Sequence, residues 1–484
     1  MDPGIVQELL IMGILLLAGV LVTRVSSRFG VPALVGFLAV GMIVGTDGLG
    51  WINFHDARAA QWVGVIALVF ILFEGGLETD WNHVRPVLVP AVSLATAGVL
   101  VTALVTGLFT WWIAAVPLTE ALLVASIVGS TDAAAIFAVL GNQNLRHRIK
   151  MTLEAESGLN DPMAVFLTLF IIEWIQEGPP GIGEAIFDLV WEMGIGVLGA
   201  LLFGRLVAWV LRKIRLDASA LYPILLTAAA VLSFAVVSLV GGSGYVTVYV
   251  LGMYLHGLDL PYRQSIMRFH EALAWLAQIC MFTILGLLVF PKQLVQVWLP
   301  ALLIAAALML VARPLAVWLC TVGMGYTNKE KLFISWAGLK GAVPVVLATF
   351  PLLADVPESG IIFNVVFFVV LLSTVLQGST VSLVGAKLGL VNGEVPARPV
   401  SLELVSVGKA NVEMMEVELP ASSPMIGQQI SDLALPEKAT VSAILRGETV
   451  VTPRGWTRLE AGDLLYILVS RDQQRAVERV FAAD

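Results

Sequence analysis

Of the chain's 484 residues, 58% are hydrophobic and only 13% charged, against roughly 25% charged in soluble proteins, and the formal net charge is −8. Those proportions exclude a soluble globular protein and describe an all-α polytopic membrane protein in a lipid bilayer, with no nucleic-acid partner expected. Cys280 and Cys320 lie singly in apolar runs, and His55, His83, His147, His256 and His270 are scattered, so neither a disulfide framework nor a transition-metal site is expected.

Thirteen apolar segments are long enough to span, approximately 5–25, 31–47, 60–77, 85–115, 118–141, 150–176, 185–211, 220–240, 243–257, 270–290, 298–320, 330–353 and 361–388. The first lacks a charged leader and a small-residue cleavage site, so it reads as a spanning helix. Alternate loops carry the basic residues, among them Arg146, Arg148 and Lys150, Arg212 and Lys213, and Lys329 and Lys331, whereas the others hold only Arg58 and Lys292. The positive-inside rule then puts the N-terminus outside and the C-terminus in the cytoplasm, as for a bacterial-type inner membrane protein. The ninth segment is short enough to be half of a re-entrant pair.

Several segments carry polar groups that the bilayer penalises. Glu74 lies inside the third, either interfacial or lining a cavity, and Glu78 lies at its end. The fifth contains Gly129, Ser130, Thr131 and Asp132, whose side chains compete for backbone hydrogen bonds beside a glycine, so a local break is expected. The sixth carries Glu156, Ser157, Asn160 and Asp161, and spacing of four stacks them in two stripes on one helix face. In the twelfth, Gly338, Gly341 and Pro344 bracket Lys340, and Pro344 frees a carbonyl one turn earlier. Two interrupted helices seven segments apart point to an inverted repeat with the site between its halves. At about 1.5 Å per residue, Asp132, Asp161 and Lys340 all approach the bilayer midplane.

The stretches STDAAAIF, ESGLNDPMAVF, LFEGGLETDW and GLKGAVPVV resemble the monovalent cation/proton antiporters of the sodium/proton exchanger group, particularly the potassium/proton or cell-volume-regulation branch. The resemblance covers about residues 5 to 390. It implies a homodimer of thirteen-helix protomers, with a core crossing at two unwound helices and a scaffold forming the dimer contact. By motif, Thr131 and Asp132 match the first unwound segment and Asp161 the carboxylate that binds cation or proton. Ser157 and Glu156 match further direct or water-mediated ligands, and Asn160 a structural partner. The monovalent cation is thus expected at Asp161, Asp132, Ser157 and Thr131. The family's arginine in GLRG is here Lys340, a compact ammonium, which leaves its partner open between Glu156 and Asp132. Arg313, followed by Pro314, is a second intramembrane cation, with snorkelling to the cytoplasmic face the competing reading.

After Leu390 the composition turns polar, and the chain divides into a transmembrane antiporter domain at 1–390, a linker at 391–411 and a cytoplasmic α/β module at 412–484. In the module, strands are expected near 414–420, 439–445, 448–452 and 464–469, a short helix near 427–434 and a final helix at 471–481. Its pattern resembles the TrkA-C domain of potassium-conductance regulators, which implies a small, nucleotide-type regulatory ligand. Neither a phosphate-binding loop nor a dinucleotide fingerprint occurs, so the expectation is secondary transport without cofactor or catalytic residues, not an enzyme and not an ATP-driven pump. Potassium or sodium would exchange for protons, electroneutrally because Asn160 stands beside a single titrating Asp161. A ligand-gated potassium channel and a cation-coupled symporter are the alternatives; no TVGYG-like filter run occurs to support the channel.

Overall fold

The computed structural model describes residues 3–29, 32–141, 143–179, 181–213, 216–394, 401–402, 412–420, 423, 425–447, 449–470 and 473–481. These fall into two compact units, one of 1–141, 145–261 and 266–392, the other of 393–484 with the short pieces 142–144 and 262–265.

In the first unit every expected apolar segment is helical, and among the described residues eight helices are long and apolar enough to cross a membrane. Ala57–Glu78 starts where the Asp56 carboxylate accepts from the Ala59 amide, and Asn328–Trp336 starts in a reciprocal Thr327–Glu330 capping box. The ninth segment is a plain helix, Gly244–His256, of 13 residues. It packs chiefly on Ala57–Glu78, Ile182–Lys213 and Leu221–Leu239. Its approach to Ala57–Glu78 is backbone to backbone: a β-carbon on Gly76 would run into the Tyr249 carbonyl, and one on Gly252 into the Phe73 carbonyl. Large apolar side chains such as Phe187, Val190, Leu198, Leu202 and Trp209 stay exposed, as lipid-facing groups do.

Two helices are interrupted. The fifth segment stops at Ile127 and resumes at Ala133; the twelfth stops at Trp336 and resumes at Ala342. They cross at their unwound residues, where the Asp132 amide donates to the Leu339 carbonyl at 2.8 Å. The fourth and eleventh segments instead carry one π-turn each, at Leu94–Gly98 and Leu308–Ala312. Such turns widen the helix by one residue and re-aim the side chains beyond them, and Arg313 comes directly after the second.

The second unit holds a five-stranded antiparallel sheet in the order 401–402, 412–418, 463–470, 439–446, 449–451. Along Asp463–Ser470 burial alternates residue by residue, which puts Leu465, Ile467 and Val469 in one core with Met415, Val417 and Ile444. The helix expected near 427–434 is only a single 3-10 turn, Ile430–Asp432, because Gln429 pairs with Arg458 as an isolated bridge and Pro436 comes soon after. Strands Val391–Glu394 and 401–402 lie in the stretch read as linker; the remainder of that stretch, 395–400 and 403–411, is outside the described residues. The fully buried Asp463 carboxylate accepts from Arg446 Nε and Nη2 at 2.8 and 2.9 Å and from the Glu460 amide at 2.9 Å.

Candidate functional site

Each interrupted helix leaves orphan carbonyls at one end of the break and orphan amides at the other. Lys340 answers the first set: its Nζ, on a residue only 1% exposed, donates to the Ser130 and Gly129 carbonyls at 2.9 and 3.3 Å. A cation there complements the negative end of the helix Leu118–Ile127. Asp132 answers the second set. Its carboxylate accepts from the Ala135 amide at 3.0 Å and faces the amides of Ala134 and Ala342, so one anion caps both resumed helices. Gly341 has to be glycine for this, since a β-carbon would occupy the space of the Asp132 carboxylate. The partner of Lys340, left open between Glu156 and Asp132, is therefore neither of them by direct contact but two main-chain carbonyls.

The helix His147–Glu177 lies against this crossing. Ser157 Oγ donates to the Thr131 carbonyl at 2.9 Å and accepts from the Ala133 amide at 3.2 Å, and Asn160 Nδ2 donates to Thr131 Oγ1 at 2.6 Å. Ser157, Asn160 and Thr131 thus form a latch that holds the unwound segment. Asp161, 9% exposed, sits within electrostatic reach of Asp132 and Lys340, with the Ser130 hydroxyl facing it. Ser130 Oγ and Asn160 Oδ1 are buried oxygens without a hydrogen-bond partner of good geometry among the described residues. Buried oxygens are rarely left so, and a hard monovalent cation takes such donors together with a carboxylate. Pro162 withholds the amide that would have reached the Gly158 carbonyl, adding a further oxygen one turn away.

Glu156 does not join this set. Arg313 Nη1 and Nη2 reach its two oxygens at 2.5 and 2.9 Å, and the side chains are 3% and 0% exposed. Arg313, directly after the π-turn, thus points inward as an intramembrane cation instead of snorkelling, and it engages the Glu156 carboxylate that was expected as an ion ligand.

Three residues of the last helix of the first unit, Ser359–Leu388, escaped the sequence reading. The Lys340 amide donates to Ser373 Oγ at 3.1 Å, Thr374 Oγ1 donates to the Lys340 carbonyl at 2.9 Å, and Gln377 Nε2 donates to the Trp336 carbonyl at 2.8 Å. Thr374 pairs the Lys340 carbonyl, which the break leaves without a helical partner, so the unwound chain is satisfied although it is far from water. The signal was present as polar residues at i, i+1 and i+4 in an apolar helix. Glu74 lies beside Glu78, with Glu271 nearby, on another helix pair. A cavity of about 310 Å³ at the far end of His147–Glu177, lined by Phe166, Phe170, Glu173, Asp188, Trp191 and Glu192, does not include Asp161.

Residues 12–387 match the family described as sodium/hydrogen exchanger, transmembrane, and residues 414–482 match the TrkA-C domain. A K(+)/H(+) antiporter NhaP2 of Shewanella sp. strain ANA-3 is 38% identical over 489 residues, covering 100% of this chain and 84% of that protein. The K(+)/H(+) antiporter NhaP of Alkalimonas amylolytica is 40% identical over 442 residues, covering 90% of this chain and 77% of that one. In structure, the sodium proton antiporter MjNhaP1 of Methanocaldococcus jannaschii at pH 8 superposes with a TM-score of 0.67 at 25% identity, over 78% of this chain and 100% of its own. Crossed breaks in the fifth and twelfth segments, carboxylates where the breaks meet and a family match across the whole helical unit agree: the chain belongs to the sodium/hydrogen exchanger family of membrane proteins.

Proposed function

We propose that this protein is a secondary antiporter, not an enzyme, that exchanges one monovalent cation, potassium in preference to sodium, for one proton by alternating access. The observation that carries the reading is Asp161, buried where two broken helices meet, with the Ser130 hydroxyl facing it and the buried Asn160 Oδ1 left without a partner among the described residues. A carboxylate at that depth is tolerated only when neutralised. A proton and a cation are alternative ways to neutralise it, and each excludes the other. Glu156 is cancelled by Arg313, and Asp132 and Lys340 are engaged by helix ends of opposite polarity. One exchangeable charge remains, so both loaded forms carry the same net charge and the cycle is electroneutral. Potassium is favoured because the relatives matching the full chain are named as potassium/proton antiporters. The protein is further read as a homodimer, on its family resemblance, in a bacterial-type inner membrane, with the N-terminus outside and the C-terminus inside on the loop charge pattern.

Proteoliposomes holding a pH-sensitive dye test this. Addition of potassium should collapse a preset pH gradient more effectively than sodium, at a rate unchanged by an imposed membrane voltage; acceleration at one polarity would show net charge movement and overturn the one-for-one stoichiometry.

The 412–484 module is read as a regulatory domain that takes a nucleotide-type ligand, because all the groups at the ion site precede residue 378. Truncation after Leu390 should leave exchange intact in the same vesicles while changing its dependence on internal pH or added nucleotide. Complete loss of exchange in a truncated protein that still folds would make the module part of the transport machinery.

A further inference from the structure

Glu154, Gly158 and Asp161 succeed one another at i, i+4 and i+7 and form a single stripe on the helix His147–Glu177, with Lys150 one turn before Glu154. The ring of Tyr249 lies on the middle of that stripe. A β-carbon on Gly158 would overlap Cζ, Cε1 and Cε2 of that ring, so the glycine is the notch into which it fits. Tyr249 is 3% exposed, and its hydroxyl lies within electrostatic reach of both Glu154 and Asp161. It also comes within 3.5 Å of Thr79 Oγ1, which is itself 3.4 Å from Glu154 Oε1. The ring therefore stands between two carboxylates of one stripe. It is supplied by a different helix pair: Gly244–His256 is locked to Ala57–Glu78 through Gly76 and Gly252, whereas Gly158 and Asp161 belong to the helix that latches onto the crossing.

We infer that Tyr249 is the inner gate of the antiporter, a flat ring carried by one rigid body and seated in the Gly158 notch of the other, closing Asp161 off from the Glu154 and Lys150 side. An ion or proton passing along the stripe has to go under the ring, and sliding one body past the other lifts it. A glycine lets the contact open without interlocked side chains, while an aromatic face fills the gap without offering a charge to hold the ion. The inference rests on the antiport reading, whose own test is kept separate below.

The test uses the full chain in proteoliposomes, with dissipation of a pH gradient monitored first in choline alone and then with potassium. Tyr249→Phe keeps the ring and should exchange within about threefold of the unaltered protein, the effect of one long hydrogen bond. Tyr249→Ala and Tyr249→Leu should lose the requirement for potassium and leak protons in choline. Gly158→Ala should slow exchange about tenfold with no leak, because an overpacked notch cannot close and reopen freely. If either the Ala or the Leu variant folds and stays tight at an unaltered rate, or if Tyr249→Phe leaks as they do, the gate is overturned. Exchange by the unaltered protein and its loss in Asp161→Asn, measured in the same vesicles, decide the antiport reading; if that pair holds and the Tyr249 variants stay tight, only the gate fails.

Discussion

Asp161→Asn should abolish cation/proton exchange while leaving a folded, monodisperse protein. The amide matches the carboxyl in size and is neutral, so the crossing loses no capping group: Asp132, Lys340 and the Ser157–Asn160 latch hold it without Asp161. What the variant lacks is a group that takes up a proton in one half of the cycle and gives it up to a cation in the other. Loss of activity at unchanged melting temperature is the expected pair of results, measured by dye-loaded vesicles and by thermal unfolding in detergent. Exchange near the unaltered rate would move the ion site elsewhere, with Asp132 the next carboxylate at the crossing.

Arg313→Ala should destabilise the helical unit by roughly 3 to 5 kcal/mol, because it strands the Glu156 carboxylate in a site without water. Glu156→Gln should cost a comparable amount by stranding the guanidinium. The double variant Arg313→Met, Glu156→Leu removes both charges and should recover most of the loss, since well-packed apolar replacements of a buried ion pair are often neutral or better. It also decides the function of Glu156. The double variant should still exchange, because the carboxylate is a brace; a variant that folds at the normal temperature but no longer exchanges would return Glu156 to the set of ion ligands.

How much of this could be read from the chain depends on distance along it. The break at Gly129–Asp132, the polar face of ESGLNDP and the break around Lys340 are local signals, visible as residues that disfavour an uninterrupted helix in lipid, and the crossing confirms both breaks. Pairing across the fold was not legible. Glu156 and Arg313 are 157 positions apart, and only the π-turn at Leu308–Ala312 aims the guanidinium inward; no helical wheel drawn at a regular period predicts that. Lys340 was expected to seek a carboxylate because charge pairing is the familiar reason for a buried lysine. At a broken helix the unpaired carbonyls compete, and here they won. Ser373, Thr374 and Gln377 were overlooked because each alone is an ordinary polar residue that could bond within its own helix. Their shared purpose exists only once Pro344 and the unwound chain lie beside them. The Gly158 notch is of the same kind, since a glycine in the sixth helix says nothing until the Tyr249 ring is seen in it.

If the one carboxyl of Asp161 is neutralised by a proton or by a cation and never by both, cation binding has to displace a proton. Titrating purified protein with potassium chloride in a calorimeter, in buffers of differing ionisation heat, counts the protons released as the cation binds. Release of about one proton per bound cation, lost in Asp161→Asn, is the result expected. Cation binding with no proton released, or release that persists in Asp161→Asn, would contradict it.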